Sequence, residues 1–224
     1  MIGLVDSRSA TETTSAGDDM LRISLLTESG IASLNTVATK AQPLPARDIA
    51  RMMKGVLAGV KHLHDHRITH SDLKPRNVVL MPDMTTKLID FGSAREFGDD
   101  VEQLDCRDMG TPGYVAPEID NSDGAEAQLA TFEELRKADY WAVGCILYEL
   151  VTGGPLFDEQ PEPDGYEDMS AQVNKRIIAM MPEEWNTNDV QAVQECLNEL
   201  LKTAPEQRQV IRLETFIENL GNNG

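Results

Sequence analysis

The segment Ile68–Leu80, ITHSDLKPRNVVL, holds an aspartate, a lysine and an asparagine at positions 72, 74 and 77. Farther along come Asp90-Phe91-Gly92 and Ala116-Pro117-Glu118, the latter introduced by GTPGYV. Aspartate and asparagine oxygens are hard ligands of the kind Mg²⁺ takes. Each fragment alone says little, because an aspartate close before a glycine is commonplace turn chemistry. Asp72 or Asp90 in isolation reads as a turn or cap residue. Order and spacing change that reading, because an apolar DYWAVG stretch and a late Arg208 follow in the same chain.

Together the block resembles the catalytic half of a eukaryotic protein kinase of the serine/threonine type, over almost the whole chain from Met1 onward. The resemblance implies an α+β, protein-kinase-like fold with a complete helical C-terminal lobe and a truncated small β lobe. It implies ATP and Mg²⁺ as cofactors. Phosphoryl transfer asks for positioning and charge neutralisation more than for covalent chemistry. In the family's pattern Asp72 accepts or orients the proton of the substrate hydroxyl, and Lys74 reaches the transferring phosphate. Asn77 and Asp90 would hold Mg²⁺, and Val79 would lie beneath the adenine. Lys74 followed by Pro75, and the run from Gly110 to Tyr114, resemble serine/threonine rather than tyrosine kinases, with Thr111 shaping the acceptor site. The other matches are structural. His70 and Phe91 would stack, Asp139 would hold the catalytic loop by its backbone amides, and Glu118 and Arg208 would form a buried ion pair.

Several positions depart from the pattern. Ser71 stands where many family members carry an arginine that an activation-loop phosphate neutralises, and residues 94–110 contain no Ser, Thr or Tyr. The two absences agree, so no phosphate switch is expected in that loop. Arg76 replaces the acidic residue that basic-substrate kinases often carry before the asparagine, which argues against a basic-substrate preference. Residues 119–137 form a longer connection than usual and read as an insertion. At the front no GxGxxG, no VAIK-like lysine and no helix with its partner glutamate is found, and Lys40 and Lys54 are poor substitutes. The expected division is therefore a small-lobe remnant with hinge over 1–40 and a helical catalytic lobe over 41–221.

These residues need a scaffold, and the hydrophobic pattern supplies most of one. Residues 2–5 suit a strand, 7–19 a polar loop, and the alternation of Leu21, Ile23 and Leu25 a second strand. A short helix is expected near Ile31–Val37. From Ile49 to Leu63 apolar residues recur at steps of three and four, the stripe of a long amphipathic helix. Val78–Leu80 and Lys87–Ile89 read as strands around a Pro/Asp turn. Residues 92–137 read as irregular. Residues 138–151 are apolar almost all round, a buried helix stopped by Gly153, Gly154 and Pro155. Helices over about 189–201 and up to Leu220 complete the chain, with a frayed GNNG tail.

Twenty basic against 38 acidic residues leave −18, which argues against a phosphate-backbone binder and so against nucleic-acid partners. Three scattered cysteines without a CxxC suit a reducing compartment. No apolar run reaches the ~20 residues of a membrane span, and the N-terminus lacks the marks of a signal peptide. A cytoplasmic or nuclear protein acting on protein Ser/Thr hydroxyls is expected. Two alternatives stay open: a catalytically inactive kinase-like module that binds a partner protein, and a fragment of an active kinase. Exposed small-lobe strands would favour self-association. His62, His64 and His66, spaced by two, spread around a helix and read as a solvated helix end rather than a metal site. Met52, Met53, Met180 and Met181 read as core filler.

Overall fold

The computed structural model describes residues 3–13, 19–107, 109–120, 128–161, 163–166, 169–180 and 182–221. The architecture is α+β: an antiparallel hairpin, three further small antiparallel sheets and a helical body.

The hairpin joins β1 (Leu4–Thr13) to β2 (Asp19–Thr27), in register from Leu4↔Thr27 to Thr13↔Asp19. It is longer than expected, because strand replaces the loop read over 7–13. The physical reason is exposure. Val5 to Ala10 face solvent, so this stretch needs no apolar face and shows no alternation to read. Ile31 turns back to donate its N–H to Leu80 O at 2.8 Å, and β3 (Ala32–Ser33) continues that pairing. Helix α1 (Leu34–Lys40) starts three residues later than expected because Ser33 is its N-cap, accepting from Thr36 N at 3.3 Å. Helix α1 ends at Lys40 and packs on the helix Phe132–Thr152.

Helix α2 (Ala46–Asp65) buries the expected stripe, Ile49, Met53, Val56 and Val60 being fully covered. It runs against a β-hairpin with almost no gap. A Cβ at Gly55 would come within 2.3 Å of Thr86 Oγ1, and Thr86 Oγ1 donates to Met52 O at 2.6 Å. Strand β4 (Ile68–Thr69) follows α2, then β5 (Val78–Leu80) and β6 (Thr86–Leu88), with β5 central between β3 and β6. Strand β7 (Arg95–Glu96) pairs with β4.

The region read as irregular carries a further pair, β8 (Gln103–Asp105) with β9 (Leu129–Thr131). Residues 121–127 of the expected insertion lie outside the described residues, as does the GNNG tail beyond Gly221. Helix α3 (Phe132–Thr152) begins six residues before the expected start. Thr131 and Glu134 form a reciprocal capping box there, a signal that precedes the apolar run. Every residue from Asp139 to Thr152 is buried, as expected, and Gly153 ends the helix in the left-handed region at φ 81°.

Helix α4 (Met169–Met180) has no counterpart among the expected elements, although Met169, Val173 and Ile177 at steps of four are all buried. Met52 and Met53 fill the core as expected, whereas Met180 is exposed and Met181 lies outside the described residues. Helices α5 (Thr187–Leu200) and α6 (Ile211–Gly221) close the body against α3 and α2. No helix among the described residues is long and apolar enough to cross a membrane.

Candidate active site

The connection from β4 to β5 is organised around one buried carboxylate. Asp139, on α3, accepts the backbone N–H of His70 at Oδ2 and that of Ser71 at Oδ1, both at 3.0 Å. Ser71 sits at φ 64°, a conformation unfavourable for a side-chain-bearing residue, and the bond to Asp139 helps hold it there. A third group reaches the same carboxylate: His64 Nε2 lies 2.9 Å from Oδ2. His64 is buried, which corrects the expected solvated helix end for this histidine; His62 and His66 are exposed. Spacing by two hid the signal, because His64 falls four residues past Val60, on the buried stripe. No cluster of three or more metal-ligating side chains occurs among the described residues.

Beyond Ser71 the side chains converge. Asp72, Lys74 and Thr111 form a closed triangle. Lys74 Nζ donates to Asp72 Oδ2 at 2.8 Å and to Thr111 Oγ1 at 2.6 Å, and Thr111 Oγ1 donates to Asp72 Oδ1 at 2.6 Å. The 3₁₀ turn Pro75–Asn77 delivers Asn77, whose Nδ2 donates to Asp72 O at 2.9 Å and to Asp72 Oδ2 at 3.1 Å. Four residues from two distant segments thereby share one network. Lysine has three N–H donors, and two are used here.

Asp90 and Val79 stand in an adjoining cavity of about 620 Å³, also lined by Thr27, Glu28, Gly30 and Phe91. That volume lies inside the ~300–1,000 Å³ range of small-molecule sites. Asp72 is not among its lining residues. The two parts are tied by backbone and ring: Ile89 N donates to Asn77 O at 3.0 Å, and His70 Nε2 meets Ile89 O at 3.0 Å. His70 and Phe91 pack with ring centroids 5.3 Å apart. At the mouth, Lys87 Nζ donates to both Glu28 oxygens, at 2.8 and 2.7 Å. That contact holds the Glu28 carboxyl below its ordinary range.

Donor chemistry fits Mg²⁺ brought in with phosphate. Asn77 spends its amide nitrogen on Asp72, leaving its carbonyl oxygen as a ligand. The Asp90 carboxylate is exposed, in the left-handed region at φ 62°, and has no hydrogen-bond or ion-pair partner among the described residues. Two protein oxygens plus phosphate and water suit a cation that keeps much of its hydration.

The loop carrying Thr111 is pinned farther on. Arg208 is fully buried; its Nη2 donates to Glu118 Oε2 at 2.7 Å, and its guanidinium lies 4.9 Å from the Trp141 ring. Removing one partner of such a pair costs about 3–5 kcal/mol. Sequence reasoning missed two other anchors. Tyr114 OH donates to the buried Glu149 at 2.7 Å. Gln160 accepts from Gly113 N at 2.9 Å and donates to Val115 O at 3.2 Å. No local motif marks either, because their partners lie 35 to 47 residues away.

The family described as "Protein kinase domain" matches residues 11–214. Among curated proteins the chain is similar to "Mitogen-activated protein kinase kinase kinase 19" of Homo sapiens, 29% identical over 192 residues, spanning 83% of this chain and 14% of that protein. It is similar to "Serine/threonine-protein kinase PLK4" of Drosophila yakuba, 29% identical over 192 residues, spanning 82% of this chain and 22% of that protein. The same protein of Drosophila persimilis is 32% identical over 180 residues, spanning 76% of this chain and 20% of its own length.

Proposed function

Since the chain belongs to the protein kinase family, we propose that it transfers the γ-phosphate of ATP to Ser/Thr hydroxyls of proteins. The observation that carries this reading is the Asp72–Lys74–Thr111 triangle, a carboxylate held by a cation and a hydroxyl at 2.6–2.8 Å. Asp72 orients the acceptor hydroxyl and takes its proton. Lys74 turns its remaining N–H toward the transferring phosphate, and Thr111 sets the distance between them. Asn77 and Asp90 hold Mg²⁺, which when bound neutralises phosphate charge. Val79 supports the adenine from the cavity wall. The relatives named as serine/threonine kinases support the choice of hydroxyl. Three free, buried cysteines are consistent with a cytoplasmic or nuclear setting.

A second reading is a nucleotide-poor module that binds a partner protein. One observation favours it: no Lys or Arg is among the residues lining the cavity. The open edges of the β1–β2 hairpin are where such a partner, or a second copy, would add a strand. The discriminating assay incubates residues 1–224 and the Asp72→Asn variant with Mg-ATP and a mixed Ser/Thr/Tyr peptide pool. Transfer to Ser/Thr that falls by about 10²–10⁴ in the variant supports the kinase, the usual worth of a positioned base. Equal transfer by both proteins overturns the assignment of Asp72, and no transfer by either favours the binding module.

A further inference from the structure

Gln128 holds two distant points of the chain at once. Its backbone carbonyl oxygen accepts the Cys106 backbone N–H at 2.9 Å and the Cys106 thiol at 3.2 Å. Its Nε2 donates to Glu118 O at 2.8 Å. Cys106 and Glu118 bracket the segment of the chain that carries Thr111 and Tyr114. The strand that Gln128 opens extends the grip: Leu104 pairs with Ala130 and Gln103 with Thr131, where α3 begins. Cys106 and Ala130 are buried, so the junction is shielded from water. At the other end Glu118 is fastened to Arg208.

A phosphate in such a loop works by adding charge-assisted bonds that order it. Residues 94–110 have no hydroxyl to carry one, and the hydroxyls of Thr111 and Tyr114 beyond them are engaged by Asp72 and Glu149. Ordering must then come from elsewhere, and tying both ends of a loop to one rigid helix start removes much of its freedom. We propose that Gln128, with strand Leu129–Thr131, is a positioning clamp that keeps the substrate-facing loop 109–117 in one path without phosphorylation. The clamp takes its purpose from the kinase reading above; its geometry does not depend on it.

Cys106 is a built-in reporter, because its thiol is covered only while the clamp is shut. Cys145 and Cys196 lie buried inside α3 and α5 and report wider opening. The experiment measures labelling rates of the three thiols in residues 1–224, in Gln128→Met and in Ala130→Pro. Gln128→Met keeps the side-chain length and removes the bond to Glu118. Ala130→Pro removes a backbone donor from the strand pair. Labelling of Cys106 is expected to accelerate about tenfold in Gln128→Met, the scale of one buried hydrogen bond, and at least as much in Ala130→Pro. Cys145 and Cys196 should keep their rates. Unchanged Cys106 labelling, or acceleration of all three thiols together, overturns the clamp. In a transfer assay the peptide KM should rise about threefold to tenfold with the ATP KM unmoved; an unmoved peptide KM overturns the positioning role. Absence of transfer by the unmodified protein would strike the kinase reading alone, and the Cys106 rates would still decide the clamp.

Discussion

His64 Nε2 and Asp139 Oδ2 lie 2.9 Å apart, with side chains only 5% and 2% exposed. One residue closes the last turn of α2 and the other sits inside α3, so the contact locks two helices. The same carboxylate carries the amides of His70 and Ser71. A single buried anion thus fixes the loop on which Asp72 stands.

The first prediction tests that lock. His64→Leu should destabilise by about 1.5–3 kcal/mol, the range for a hydrogen bond to a charged group. Asp139→Leu should cost more, because two backbone donors are left unpaired as well. Urea midpoints of the two variants against the parent give the comparison. Equal stability of His64→Leu and the parent would remove His64 from the scaffold.

Alkaline pH gives the second. Burial, and then the Glu149 carboxylate that accepts its hydroxyl, push the Tyr114 phenol well above its ordinary value of 10.0. The unfolded chain releases this proton near pH 10 and the folded chain does not. Stability from Tyr114 is therefore complete below pH 10 and is lost progressively as pH rises beyond it. Melting curves from pH 9 to 11.5 should fall more steeply for the parent than for Tyr114→Phe. Tyr166 is also raised by burial and supplies a common background in both proteins. Parallel curves would show that the phenol is not held neutral.

Nucleotide binding gives the third. Asp90 lines a cavity whose lining residues include no basic side chain, and each missing charge-assisted contact is worth about 1.5–3 kcal/mol. Residues 1–224 should bind Mg-ATP with a Kd of about 1 mM or weaker. At 1 mM the thermal shift should then stay below about 2 °C. At tenfold higher nucleotide a shift should emerge that needs Mg²⁺ and disappears in Asp90→Ala. A large shift at 0.1 mM, or one indifferent to Asp90, would contradict this account of the cavity.

The sites differ in how far the sequence makes them legible. Asp72, Lys74 and Asn77 are legible because they sit within six residues, and their types announce the chemistry. Their union with Thr111 is expected only through a resemblance, and spacing alone could not produce it. His64 is easily misread because pairwise spacing draws attention away from the helical stripe that buries it. Gln128, Gln160, Glu149 and Asn35 offer no signal. They act through hydrogen bonds to partners distant in sequence, such as Asn35 Nδ2 to Glu149 Oε1 at 3.2 Å.

By itself the sequence determined what local chemistry and periodicity can determine. The stripe of α2, the buried run of α3 and the β5–β6 hairpin all follow from neighbours three, four or two residues apart. Tertiary structure decided the rest. It chose which carboxylate faces which amide, buried Arg208 against Trp141 and Glu118, and paired residues 103–105 with 129–131. The physical reason is that such contacts depend on how whole elements pack. A hydrogen bond acts over about 3 Å, and only the assembled core sets which distant groups come that close.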